Sequence, residues 1–175
     1  MRIKWFSLIR ITGLLLVLLY HFFQTIFPGG FFGVDVFFTF SGFLITSLLL
    51  EEFGKARQID LLGFFKRRFY RIVPPVVLMV LVTMPFTLLV RQDYVAGIGG
   101  QIAGVFGFMT NFYEMLTGGS YESQFIPHLF VHNWSLAVEV HYYILWGLAV
   151  WFLSKRSKSS SQLRGMVFLL SAGAF

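Results

Sequence analysis

The chain has 175 residues, of which 57% are apolar and 13% charged, where a soluble domain carries roughly 25% charged. Phe occurs 23 times, more aromatic surface than a soluble core of this size can hide, so lipid is the implied solvent. The formal charge of +6 lies in short basic clusters between apolar runs, a pattern that favours membrane loops over nucleic-acid binding; Cys is absent, which removes disulfide and thiolate chemistry.

A spanning helix needs about 20 mostly apolar residues. The first candidate is 6–27. Its basic start (Arg2, Lys4) and apolar centre (Leu14 to Leu19) resemble a signal peptide, but no small-residue cleavage site follows, so a retained signal anchor is expected. Further candidates cover 32–50 and 72–90. The segment 95–116 is weaker and rich in glycine, and 133–153 is a fifth. A sixth run, 166–175, is too short to cross. The fold class implied is all-α, a polytopic transmembrane helix bundle whose last element is incomplete, so a truncated N-terminal portion is expected.

Lys and Arg in the connections set orientation. Arg2 and Lys4, then Lys55, Arg57, Lys66, Arg67, Arg68 and Arg71, place the N-terminus and the 51–71 connection in the cytoplasm. Five full crossings would put Lys155, Arg156, Lys158 and Arg164 outside, against the rule. A re-entrant or interfacial segment at 95–116 removes the conflict. Gly100 and Gly104 form a GxxxG spacing there, read as close helix packing; no Lys-Ser/Thr follows to make a phosphate loop.

Ionisable groups at membrane depth are costly and often functional. Arg10 and His21 are eleven residues apart, so they share one helix face about 16 Å apart along the axis. Arg10 either snorkels into headgroups or serves a site. His21 is either a hydrogen-bonded structural imidazole or a ready general base. Asp35 is a carboxylate favoured at a helix start, or one that orients His21. Ser41-Gly42 lacks a nucleophile elbow and reads as packing.

Along Lys66 to Pro75, the basic residues either anchor to anionic lipid or gather a polyphosphate donor, because guanidinium binds phosphate bidentately. Pro74 and Pro75 suit the first turn of a helix. Within 133–153, Ser135 and Glu139 are four apart with Tyr142 close by. Glu139 is a second candidate acid or base, or a carboxylate bonded for packing. His128 and His132 have metal-like spacing but no acidic third ligand nearby, so interfacial histidines are the better account and no metal is expected.

Together these blocks resemble the acyltransferase family 3 membrane proteins. The resemblance rests on Arg10 to His21, on the Gly-Val-Asp block from Gly33 to Leu44, on Arg67 to Pro75, and on Trp134 to Tyr143, where Tyr142 stands in place of the usual Phe. It covers most of the chain and is nearest in character to the Gram-positive peptidoglycan O-acetyltransferases. It implies transfer of an acetyl group from cytoplasmic acetyl-CoA to a hydroxyl of an extracytoplasmic glycan, in a multi-pass cell-membrane protein with a cytoplasmic N-terminus.

In that picture His21 is the base or acyl relay, with Glu139 and Asp35 assisting. Arg10, Arg67, Arg68 and Arg71 hold the donor, and no other cofactor is bound. Partners would be the bilayer, acetyl-CoA and the glycan acceptor, with no nucleic acid. An extracytoplasmic transferase domain, common downstream in such enzymes, is absent from this chain. The competing readings are a secondary transporter, which would show two related halves and does not, and an inactive membrane fragment.

Overall fold

In the computed structural model, the described residues are 4–23, 25–89, 97–117 and 128–172; the side chains of residues 4–7 and of Arg10 lie outside that description. Every extended element among them is helical. Three helical stretches are long and apolar enough to cross a membrane: Pro28–Ala56, Leu61–Phe86 and Val131–Arg156. A shorter apolar stretch is Ile11–Phe22. The chain forms two units, 1–59 with 150–175, and 60–149.

The first unit begins with α1 (Lys4–Phe22), continues through a 3₁₀ turn (Pro28–Phe31) into α2 (Phe32–Ala56), and ends in α7 (Ser160–Ala172). Glycine decides how α1 and α2 meet. A Cβ on Gly33 would lie 2.4 Å from the Gly13 carbonyl oxygen and 2.8 Å from Val17. A Cβ on Gly30 would lie 2.4 Å from the Leu16 carbonyl oxygen. The obstacles are backbone, so only glycine lets the chains come this close. Ile45, Leu49 and Phe53 form a buried stripe at four-residue spacing on α2. Leu163 and Val167 are buried on α7, which packs against α2. Arg57 closes α2 in the left-handed region (φ 57°), its N–H donating to the Phe53 carbonyl at 2.9 Å.

The second unit opens with α3 (Leu61–Phe86). It starts eleven residues ahead of the apolar run at 72–90, because Asp60 caps it: the carboxylate accepts the Gly63 N–H at 2.9 Å. The basic residues 66–71 are therefore helical. Pro74 and Pro75, expected in a first turn, stand in the interior. Lacking N–H groups, they leave the Tyr70 and Arg71 carbonyls without their usual helical donors. Val76 and Val80, just beyond, are buried with Val105 and Phe130 in the unit's core, which offsets that cost.

The glycine-rich segment is two short helices, α4 (Ile98–Phe106) and α5 (Thr110–Thr117). Gly97 starts α4 at φ 64°, a conformation open to glycine. A Cβ at Gly97 or Gly100 would lie 2.8 Å from the Tyr113 side chain. The glycines thus make room for a tyrosine of α5. A 3₁₀ turn (Val131–Asn133) leads into α6 (Trp134–Arg156), of which residues 134–149 belong to this unit.

Candidate active site

His21 lies in the last turn of α1. Its Nδ1 is 2.8 Å from the Val17 carbonyl oxygen, one turn back. A carbonyl only accepts, so Nδ1–H is the donor and Nε2 is the accepting nitrogen of the neutral ring. Tyr20 packs edge-on to the imidazole with centroids 5.5 Å apart. The residue is exposed on its helix. Arg10 is eleven residues earlier on α1, its side chain outside the described part. Asp35 stands exposed in the first turn of α2, two residues past the Gly33 crossing. The ring's Nδ1 is held by Val17 and not by Asp35.

In the second unit the structure brings two of the expected residues together through a third. The Arg68 guanidinium lies 5.6 Å from the Phe64 ring centroid and 5.8 Å from that of Tyr143, within cation–π range of both. The Tyr143 hydroxyl donates to Glu139 Oε1. Arg68 on α3 is thereby linked to Glu139 on α6 by one aromatic side chain, which fixes the carboxylate's orientation. Arg67 and Arg71 are exposed on α3. Ser135 does not serve Glu139 here: its hydroxyl donates to the His132 carbonyl at 3.3 Å. Tyr142 stacks on Trp146, centroids 5.8 Å apart.

Sequence reasoning missed Tyr143, although its four-residue spacing from Glu139 was a usable signal. It also missed Glu114, which is buried on α5 and lies 2.8 Å from His128 Nδ1. Fourteen residues separate that pair, and no periodicity marks it. Among the described residues, no group of three His, Asp or Glu side chains is placed to hold a metal ion.

The acyltransferase domain profile matches residues 3–174. The chain belongs to that family. It is similar to the O-acetyltransferase OatA of Staphylococcus aureus strain NCTC 8325 / PS 47, with 34% identity over 167 residues covering 94% of this chain and 28% of that protein. The OatA of strain COL gives the same figures. The chain thus spans little more than a quarter of the length of these curated relatives. No solved structure matches. As an acyltransferase domain with three helices able to cross a membrane, the chain is part of a multi-pass membrane protein.

Proposed function

We propose that this domain moves an acetyl group from cytoplasmic acetyl-CoA to a hydroxyl of an extracytoplasmic cell-wall glycan, with peptidoglycan the first acceptor to test. The observation that carries the reading is the His21 ring. Its Nδ1–H is spent on the Val17 carbonyl, so Nε2 is the basic atom, on a helix of an acyltransferase domain. Nε2 takes the proton of the attacking hydroxyl as its oxygen bonds to the acetyl carbon. The thioester C–S bond breaks, and the proton ends on the departing thiol. Arg67 and Arg71, exposed on α3, and Arg10 on α1 supply guanidinium groups for the donor's phosphates. Within the second unit, Arg68 is held over two rings and Glu139 is held by Tyr143. Asp35 assists as a carboxylate at the start of α2. The basic N-terminus and the basic stretch from Lys55 to Arg71 support a cytoplasmic location for both, by the positive-inside rule. The acetyl group is favoured because the relatives are named O-acetyltransferases.

The test compares cell-wall glycan O-acetylation in cells lacking the protein, carrying it, or carrying His21→Gln in the complete protein. General acid–base catalysis contributes about 10²–10⁴-fold, so the variant should insert normally and lose about 100-fold or more of the transfer. Near-normal acetylation by a well-inserted His21→Gln protein removes the base from His21.

A further inference from the structure

Glu114 is 5% exposed and Thr110 1% exposed, unusual burial for a carboxylate and a hydroxyl on an eight-residue helix. Glu114 Oε2 lies 2.8 Å from His128 Nδ1, in a pair whose side chains are 7% and 17% exposed. Three polar atoms of α5 are unsatisfied. Glu114 Oε1, Thr110 Oγ1 and Asn111 Oδ1 are buried with no hydrogen-bond partner among the described residues. Buried polar atoms left so are rare in folded proteins and call for an explanation. Helical spacing gathers them, since Thr110 and Glu114 are four apart and Asn111 and Glu114 three.

The surroundings are ordered. Tyr113, seated on the glycines of α4, lies with its ring centroid 5.5 Å from that of His128. Gln101, buried on α4, accepts the Phe130 N–H at 3.3 Å and ties down the chain just after His128. A carboxylate, an amide oxygen and a hydroxyl thus lie within about one turn of α5, and the Tyr113 ring of the same helix stands against His128.

We infer that Thr110, Asn111, Glu114 and His128 form a hydroxyl-binding site for a neutral saccharide. Two of the unsatisfied atoms, Oε1 and Oδ1, only accept, so the ligand must donate. The Glu114 carboxylate repels phosphate and carboxylate groups. With His128 neutral, its Nδ1–H donates to Glu114 and Nε2 accepts; with His128 protonated, Nε2–H donates. A hydroxyl both donates and accepts, so it suits the site in either state, where a cation suits only the first. Tyr113 supplies the apolar side that a sugar ring presents between its hydroxyls. The inference deepens the proposed acetyl transfer by naming a subsite for its glycan acceptor, and rests on that reading for its biological meaning.

The experiment measures binding, so it does not depend on acetyl transfer. The complete protein is placed in phosphatidylcholine nanodiscs, whose headgroup has no hydroxyl to compete. Titration with the neutral trisaccharide of N-acetylglucosamine is followed by saturation-transfer NMR. Wild type should bind, and Thr110→Val and Glu114→Gln should each weaken binding about tenfold or more, as loss of a hydrogen bond to a buried or charged group does. Thr110→Val is nearly isosteric. If Thr110 is merely structural, removing an unsatisfied hydroxyl leaves folding intact or improved and binding unchanged. Absence of saccharide binding by wild type, or equal binding by all three proteins, overturns the site. Loss of acetyl transfer from wild type alongside variant-sensitive binding would instead overturn the proposed reaction and leave the site standing.

Discussion

Tyr143 serves two neighbours at once: its ring carries the Arg68 guanidinium, and its hydroxyl donates to Glu139. Tyr143→Phe separates these functions, because it keeps the ring and removes only the hydroxyl. A hydrogen bond to a charged group is worth about 1.5–3 kcal/mol, which is about tenfold or more in rate when the group acts in the transition state. The expected outcome is an acetyl-transfer rate lowered about tenfold in isolated membranes, with protein level unchanged. An unaltered rate would disconnect Glu139 from the chemistry. Glu139 was legible in the sequence because an acid in an apolar run is conspicuous. Tyr143 stands four residues on, a usable spacing, but a tyrosine in such a helix draws no notice beside an acid. His21 was conspicuous by type and setting, but the tautomer that leaves Nε2 as the accepting nitrogen depends on a backbone carbonyl that only the folded helix presents. The Glu114–His128 pair was hidden because its members approach across a connection and not along a helix face.

At the scale of elements, apolar length places the starts of α2 and α6 within a residue and misplaces that of α3. Hydropathy alone begins the third run near Ile72, after the charges, but Asp60 caps α3 a full eleven residues earlier. Prolines 74 and 75 misled for a related reason: local propensity disfavours them in a helix interior, and core burial of Val76 and Val80 overrides it. The glycines of the fourth segment were rightly read as packing residues, but the partner they admit is Tyr113 of the next short helix. For α1 and α2 the glycine argument can be tested directly. Gly33→Ala sets a Cβ 2.4 Å from the Gly13 carbonyl oxygen, and relief requires the backbones to part. Overpacking of this kind costs about 1–3 kcal/mol. Gly54→Ala is the control, because nothing lies within 4 Å of its Cβ, and alanine is about 1 kcal/mol better than glycine inside a helix. Thermal unfolding in detergent should therefore show Gly33→Ala lowered and Gly54→Ala unchanged or raised. Equal behaviour would mean that α1 and α2 do not meet at Gly33.

For the whole molecule, the lengths of α4 and α5 bear on how often the chain crosses the membrane. The hydrocarbon core is about 30 Å thick. With nine and eight residues, α4 and α5 reach about 14 and 12 Å at 1.5 Å per residue, so neither crosses as a helix. If α1, α2 and α3 each cross, the chain after Phe86 lies outside, and α6 returns it. Lys155, Arg156, Lys158 and Arg164 then fall on the same side as Arg2, Lys4 and the basic residues of α3, as the charge rule requires. Were 95–116 a full crossing, those four basic residues would lie outside. The chain has no cysteine, so single cysteines report position without a background. Ser159 is a poor site for one, because its hydroxyl accepts the Gln162 N–H at 3.1 Å at the start of α7. Ser161 is exposed and uncharged, so Ser161→Cys leaves both the cap and the charge signal intact. Gly29→Cys, in the exposed turn between α1 and α2, is the outward control. In intact cells an impermeant maleimide should label Gly29→Cys and spare Ser161→Cys, and a permeant maleimide should label both. Labelling of Ser161→Cys by the impermeant reagent would mean that the chain crosses once more between Phe86 and Trp134, and that the basic end of α6 lies outside despite its charge.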